Sequence, residues 1–180
     1  EKGDIRDESF LKNIFLRAIK RDSPIESVIH FAGLKSVLDS VNNPLKYWDV
    51  NLRGVLNLLE IIDKYFCRNF IFSSSVTVYG EPSELPIKET HALLPTNPYG
   101  QSKLYVENIL SSLCRADKNF KCVSLRYFNP AGAHTSGLIG ESTQDTPNNL
   151  FPFICGVAAG KYEKLNIYGN DWPTNDGTGV

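Results

Sequence analysis

Three short apolar runs, Ser27–Phe31 (S-V-I-H-F), Asn69–Ser74 (N-F-I-F-S-S) and Cys122–Tyr127 (C-V-S-L-R-Y), are separated by long stretches whose apolar residues recur at helical spacing. Strands joined by helix-length connections run parallel, because a hairpin return would need only a short turn. A parallel sheet is usually covered by helices on both faces, so this alternation predicts an α/β, doubly wound parallel sheet. The predicted helices are Glu8–Lys20, with Phe10, Leu11, Ile14, Phe15 and Ala18 inward; Pro44–Tyr65, with Val50, Leu52, Val55, Leu58, Leu59 and Ile62 inward; and Tyr99–Arg115. From Asn129 to Asn149 the chain turns rich in Gly, Pro, Asn, Ser and Thr and reads as a long loop. A short helix near Leu150–Ala159 and a strand at Leu165–Tyr168 are expected after it.

In such a sheet, ligands sit beyond the carboxyl ends of the strands. Those ends carry Phe31-Ala32-Gly33, Ser73-Ser74-Ser75 and Tyr127-Phe128-Asn129-Pro130, which suggests one site assembled from several loops. The net charge of -1, from 19 basic and 20 acidic residues, argues against a nucleic acid or an acidic membrane surface as partner. No apolar run approaches the roughly 20 residues of a membrane span. The four cysteines, Cys67, Cys114, Cys122 and Cys155, form no C-x-x-C pair, so no metal site is expected and they read as free thiols in a reducing cytosol. The chain lacks methionine and begins and stops abruptly, which predicts a fragment.

The strongest chemical signal is Tyr99-Gly100-Gln101-Ser102-Lys103. Side chains four apart share one helix face. An ammonium beside a phenol favours the phenolate, and a phenol tuned this way can take a proton from a sugar hydroxyl near neutral pH. Y-x-x-x-K alone is a weak signal and far more often marks a surface helix pair. Here Ser73-Ser74-Ser75 ends a predicted strand before it, and Asn97-Pro98 sets the helix start.

A strand-end hydroxyl with a Tyr/Lys pair on the next helix resembles the short-chain dehydrogenase/reductase superfamily, in its extended branch acting on nucleotide sugars. Within it, the sequence is similar to the UDP-glucose 4-epimerases over nearly its whole length. The segments that carry the likeness are Gly3-Asp4-Ile5-Arg6, His30-Phe31-Ala32-Gly33-Leu34-Lys35, Phe72-Ser73-Ser74-Ser75, Thr77-Val78-Tyr79-Gly80, Pro98-Tyr99-Gly100, Ser102-Lys103, Leu125-Arg126-Tyr127-Phe128-Asn129-Pro130, Gly132-Ala133-His134, Pro147-Asn148-Asn149-Leu150 and Gly169-Asn170, in the family's order.

The resemblance implies a Rossmann-type NAD-binding domain, including the catalytic helix, over residues 1–128. Residues 129–180 would hold substrate-binding loops and the start of a smaller C-terminal substrate domain. It implies NAD as cofactor and UDP-glucose/UDP-galactose as substrates, interconverted at C4 through a transient 4-keto sugar. Tyr99 would be the base, Lys103 its partner on the nicotinamide ribose, and Ser75 a proton relay at the sugar O4. Asp4 and Ile5 would flank the adenine; Phe31, Ala32 and Gly33 would let the backbone pass close to the cofactor; Lys35 would reach phosphates. Asn51, Ser73 and Phe128 complete the cofactor side, although Ser73 and Ser74 also read as structural. Asn129, Asn148, Asn149, Leu150 and the strand Asn166-Ile167-Tyr168 would contact UDP, with Tyr168 reading equally as a packed sheet aromatic.

A homodimer built on the two long helices and a cytoplasmic location are also implied. The family's G-x-x-G-x-x-G turn, expected before residue 1, is not in the sequence. His30 reads as a satisfied structural histidine, and neither His91 nor His134 is assigned a role. Two other readings are a nucleotide-sugar 4,6-dehydratase, which wants an acidic pair behind the strand-end hydroxyl where this chain has Val76 and Thr77, and an inactive nucleotide-sugar-binding module, against which Ser75, Tyr99 and Lys103 together speak.

Overall fold

The structure is a computed structural model describing residues 1–140, 149–167 and 169–178. Capping side chains open the helices that flank the sheet. Asp7 accepts from the Phe10 amide at 2.9 Å and starts α1 (Glu8–Lys20), which buries Leu11 and Phe15. Ser36 caps α2 (Val37–Asn42) through the Asp39 amide. Asn97 accepts from the Gly100 amide at 2.9 Å and heads α5 (Pro98–Ala116), with Pro98 at the first turn, where a missing N–H costs nothing.

The strands β1 (Ser27–His30), β2 (Asn69–Ser75) and β3 (Lys121–Tyr127) pair parallel in the order β1-β2-β3, with His30 opposite Phe72 and Phe72 opposite Ser124. Phe70, Phe72 and Ser74 alternate onto one buried face of β2. Against Phe70 and Phe72 pack Leu11 and Phe15 of α1, Val55, Leu58, Leu59, Ile61 and Ile62 of α4 (Gly54–Lys64), and Val106 and Leu110 of α5. The opposite face carries Ile29, Val123, Leu125 and Tyr127, all exposed. The expected parallel α/β sheet is present, but the helices within Glu1–Phe128 that pack on it cover one face.

The expected helix Pro44–Tyr65 is three stretches: α3 (Pro44–Tyr47), a π-helical segment Trp48–Arg53, and α4. Sequence periodicity sees only apolar spacing, and a π turn inside a helix changes that spacing little while redirecting the side chains within it, often at functional sites. Gly54 follows the π segment because a Cβ there would lie 2.6 Å from the Ile5 side chain, whose carbonyl also accepts from Asn57 Nδ2 at 2.7 Å.

The chain divides into two units, Glu1–Phe128 and Asn129–Val180. In the second, α6 (Leu150–Ala158) includes Gly156, whose missing side chain lets Tyr162 stack on Phe153 with ring centres 4.7 Å apart. The strand expected at Leu165–Tyr168 is not formed over 165–167, where the backbone has no ladder partner among the described residues; Tyr168 lies outside them. No helix of the described residues is long and apolar enough to cross a membrane.

Candidate functional site

The first three turns of α5 set Tyr99, Lys103 and Glu107 on one face, each at most 9% exposed. Lys103 Nζ donates to the Ser73 carbonyl at 2.8 Å and stands 5.0 Å from the centre of the Phe72 ring and 5.7 Å from that of Tyr99. Among the described residues no carboxylate pairs with it, and burial pushes the amine down to about 8. The Tyr99 ring meets Tyr47 edge-on, 6.5 Å between centres.

Ser75 closes β2 and is buried. Its hydroxyl accepts from the Thr77 amide at 3.3 Å and from Thr77 Oγ1 at 3.0 Å, which leaves its own proton to donate elsewhere. The helix bearing Tyr99 comes against this turn at Gly100: a Cβ there would sit 2.7 Å from the Thr77 carbonyl oxygen. Glycine at 100 is therefore what allows the first turn of α5 and the strand-end serine to be neighbours.

Beyond β1, Phe31, Ala32 and Gly33 are exposed. A Cβ on Gly33 would lie 3.2 Å from Asn51 Oδ1 and 3.8 Å from Lys103 Nζ, so this ledge runs directly past the buried amine. Asn51, 3% exposed, braces it: Oδ1 accepts from the Leu34 amide at 2.8 Å, while Nδ2 donates to the Leu34 carbonyl at 2.9 Å and to Ser102 Oγ at 3.3 Å. Ser102 in turn donates to the Tyr99 carbonyl at 2.7 Å. An open, small-residue ledge beside a lysine amine fits the nicotinamide-ribose half of a dinucleotide, which needs close backbone approach and a donor to ribose hydroxyls. The chain carries no G-x-x-G-x-x-G for the pyrophosphate.

The structure thus brings together Gly33, Asn51, Ser73, Ser75, Tyr99 and Lys103. Arg6 bonds Asp4 through the backbone amide at 2.9 Å and the guanidinium at 2.6 and 3.0 Å, and holds its carboxyl down at about 2. Arg6 also reaches Asp49 at 2.5 Å, fastening the Asp4–Arg6 segment to the π-helical stretch. Lys35 and Phe128 are exposed at the ends of their strands' exits. In the second unit Asn129, Leu150, Asn166 and Ile167 are exposed, and Asn149 immediately precedes α6. Asn148 and Tyr168 lie outside the described residues.

Two features differ from the sequence reading. His30 is buried as expected, but neither ring nitrogen has a hydrogen-bond partner; burial first, then the Lys103 charge, pushes it down to about 4. A polar cluster also went unassigned: Ser74, Glu107, Arg126 and Tyr79. Ser74 Oγ donates to Glu107 Oε1 at 2.5 Å, Arg126 donates to the same carboxylate at 2.7, 3.0 and 3.2 Å, and Arg126 Nη1 donates to Tyr79 OH at 2.8 Å. The signal available was Glu107 at the next helical turn after Tyr99 and Lys103.

Residues 1–180 match the family model described as GDP-mannose 4,6 dehydratase. The UDP-glucose 4-epimerase of Dictyostelium discoideum is 52% identical over 98% of this chain and 50% of its own length. The human UDP-glucose 4-epimerase is 50% identical over 100% of this chain and 51% of its own. Among solved structures, UDP-glucose 4-epimerase from Bifidobacterium longum in complex with NAD+ and UDP superposes with a TM-score of 0.88 at 47% identity, covering 99% of this chain and 52% of that one. The Stenotrophomonas maltophila UDP-glucose-4-epimerase with bound NAD and formylated UDP-arabinopyranose gives 0.89 at 41%, over 99% and 52%. The chain spans about half the length of the curated relatives it matches.

Proposed function

We propose that this chain, which belongs to the GDP-mannose 4,6-dehydratase family, is part of an NAD-dependent UDP-glucose 4-epimerase that inverts C4 of a UDP-hexose. The observation that carries this reading is the buried Lys103 amine, donating to the Ser73 carbonyl beside Tyr99 on the same helix face and next to the strand-end Ser75. Its likeness at about half identity to enzymes of that name supports the choice of substrate.

Lys103 sets its amine 5.7 Å from the centre of the Tyr99 ring, where a positive charge would favour the phenolate. Tyr99 takes the proton of the sugar 4-hydroxyl and later returns it. Ser75, accepting twice from Thr77, keeps its own hydrogen to donate to the sugar O4, steadying that oxygen while Tyr99 takes and returns its proton. The ledge at Phe31, Ala32 and Gly33, with Lys103, Asn51, Ser73 and Phe128, would hold the nicotinamide side of NAD; Asp4 and Ile5 would flank its adenine and Lys35 its phosphates. When bound, NAD supplies a reversible hydride acceptor for C4. Asn129, Asn148, Asn149, Leu150, Asn166, Ile167 and Tyr168 would line the path of UDP.

Dehydration, the activity in the family model's description, is disfavoured at this site because Ser75 is followed by Val76 and Thr77, where an acid/base carboxylate pair is wanted. We further read the protein as a homodimer. Leu52 and Leu56 on one side and Tyr105, Ile109 and Leu113 on α5 line an apolar groove, Leu56 and Tyr105 being 39% and 50% exposed, and a second copy is the occupant proposed. The four free thiols accord with the cytoplasm as its location. The test is interconversion of UDP-galactose and UDP-glucose by the full-length protein: turnover abolished in Tyr99→Phe is expected, and near-normal turnover of that variant overturns the reading.

A further inference from the structure

The two groups that must meet one sugar hydroxyl come from different elements, Ser75 from the end of β2 and Tyr99 from the start of α5. Much of the contact between these elements is apolar: Phe70 and Phe72 against Val106 and Leu110. Apolar packing sets a distance but tolerates sliding, since dispersion has little direction. The polar contacts have direction. Lys103 reaches the Ser73 carbonyl, and Glu107 takes the Ser74 hydroxyl at 2.5 Å. Glu107 is 9% exposed and is itself held by three contacts from Arg126 on β3. Arg126 then lies 5.0 Å from the centre of the Tyr79 ring, donates to its hydroxyl at 2.8 Å, and donates to the Glu89 carbonyl at 3.3 Å. Tyr79 ends the 3-10 turn Val76–Tyr79 that follows Ser75. The chain is therefore tied on both sides of Ser75, at Ser74 to Glu107 and at Tyr79 to Arg126.

We propose that the Glu107–Arg126 pair, acting through Ser74 and Tyr79, is a positioning device that locks the end of β2 in register with α5 so that Ser75 and Tyr99 address the same substrate oxygen. It rests on the epimerase reading above. Neither Glu107 nor Arg126 acts on substrate; both work through their neighbours. A buried ion pair is weak evidence of stability, because an apolar pair of the same volume commonly serves as well or better. Its directional, charge-assisted bonds are what an apolar pair does not supply. A displacement of about 1 Å between reacting groups costs on the order of 100-fold in rate, so a lock of this kind is read in turnover before it is read in binding.

The experiment uses the full-length protein with its NAD, comparing wild type, Ser74→Ala, Ser74→Thr and Tyr79→Phe in UDP-galactose epimerisation, with melting temperature and bound NAD measured on each. Ser74→Ala is expected to lower kcat at least about ten-fold with KM within two-fold, bound NAD unchanged, and Ser74→Thr restoring kcat because it returns the hydroxyl. Tyr79→Phe is expected to show the same split and serves where Ser74→Ala does not fold. A kcat kept within two-fold in folded Ser74→Ala, or a loss that Ser74→Thr fails to restore, overturns the lock while leaving the epimerase reading intact. A wild type that turns over no UDP-hexose overturns that reading and the lock with it.

Discussion

Lys103 donates to the Ser73 carbonyl at 2.8 Å while its Nζ stands 5.7 Å from the centre of the Tyr99 ring. One cation thus serves the strand end and the phenol together. Removing it in Lys103→Met takes away both the positive charge beside the phenol and the donor to the strand-end carbonyl. The expected result in the full-length protein is a kcat lower by about 100-fold or more at pH 7, with the rising arm of the pH–rate profile displaced to higher pH. A lower rate on an unshifted profile would assign Lys103 to cofactor binding alone.

His30 makes the fold sensitive to acid. Its imidazole is held at about 4 by burial and by the Lys103 charge, against an ordinary value of 6.5. Between those values the unfolded chain binds a proton that the folded one refuses, so stability is complete above about pH 6.5 and falls as pH drops toward 4. The loss amounts to at most about 3 kcal/mol at one group. Urea midpoints should fall between pH 7 and pH 4.5 in wild type and fall less in His30→Leu, which has nothing to protonate. The paired carboxylate of Asp4, held down at about 2 from an ordinary 3.8, keeps its contribution through that window and loses it only at lower pH. Equal acid sensitivity in the two proteins would remove His30 as the cause.

Gly100 tests whether close approach or helix propensity governs the head of α5. Alanine is the better helix former by about 1 kcal/mol. Its Cβ would meet the Thr77 carbonyl oxygen at 2.7 Å and the Pro95 Cβ at 3.0 Å, and the first obstacle is backbone. Gly100→Ala is therefore expected to destabilise by about 1–3 kcal/mol and to lower kcat by moving Tyr99 off Ser75. Thermal unfolding and turnover of the same preparation check it, and a stabilised, fully active variant would show that the two elements need not touch.

The elements that apolar spacing specifies strongly were legible from the sequence. Apolar spacing predicts α1 with the observed bounds, Glu8–Lys20, and the three strands and α5 to within a residue or so at each end, because each carries a regular run or stripe of apolar residues. The Tyr99/Lys103 pair was legible for the same reason, four residues being one turn of helix. What stayed hidden depends on neighbours distant in sequence. The π turn at Trp48–Arg53 turns Asn51 toward Leu34 and Ser102, 17 and 51 residues away. Glu107 carries no sequence signal that pairs it with Arg126, 19 residues away on β3. The strand expected at Leu165–Tyr168 had the right composition, but composition does not supply a partner strand.

Asn51 offers the sharpest test of the ledge beside Lys103, because one substitution keeps its shape and reverses its chemistry. Asparagine there accepts from the Leu34 amide and donates to both the Leu34 carbonyl and Ser102. In Asn51→Asp the ionised side chain has no hydrogen to donate, so a buried carboxylate would face the Leu34 carbonyl it now bonds at 2.9 Å. Protonation restores one donor, and the folded protein should therefore hold that acid above its unfolded value of about 3.9. A raised acid contributes stability that is present at low pH and lost as pH rises through its folded value, the reverse of His30. The stability gap between wild type and Asn51→Asp should accordingly widen from pH 5 to pH 8 in urea unfolding, with bound NAD lost in parallel as Leu34 and the Gly33 ledge loosen. Asn51→Ala has no proton to exchange and should show a gap of constant size. A gap for Asn51→Asp that does not change with pH would mean that the side chain at 51 has left Leu34 for solvent, and that the ledge is held by something other than this residue.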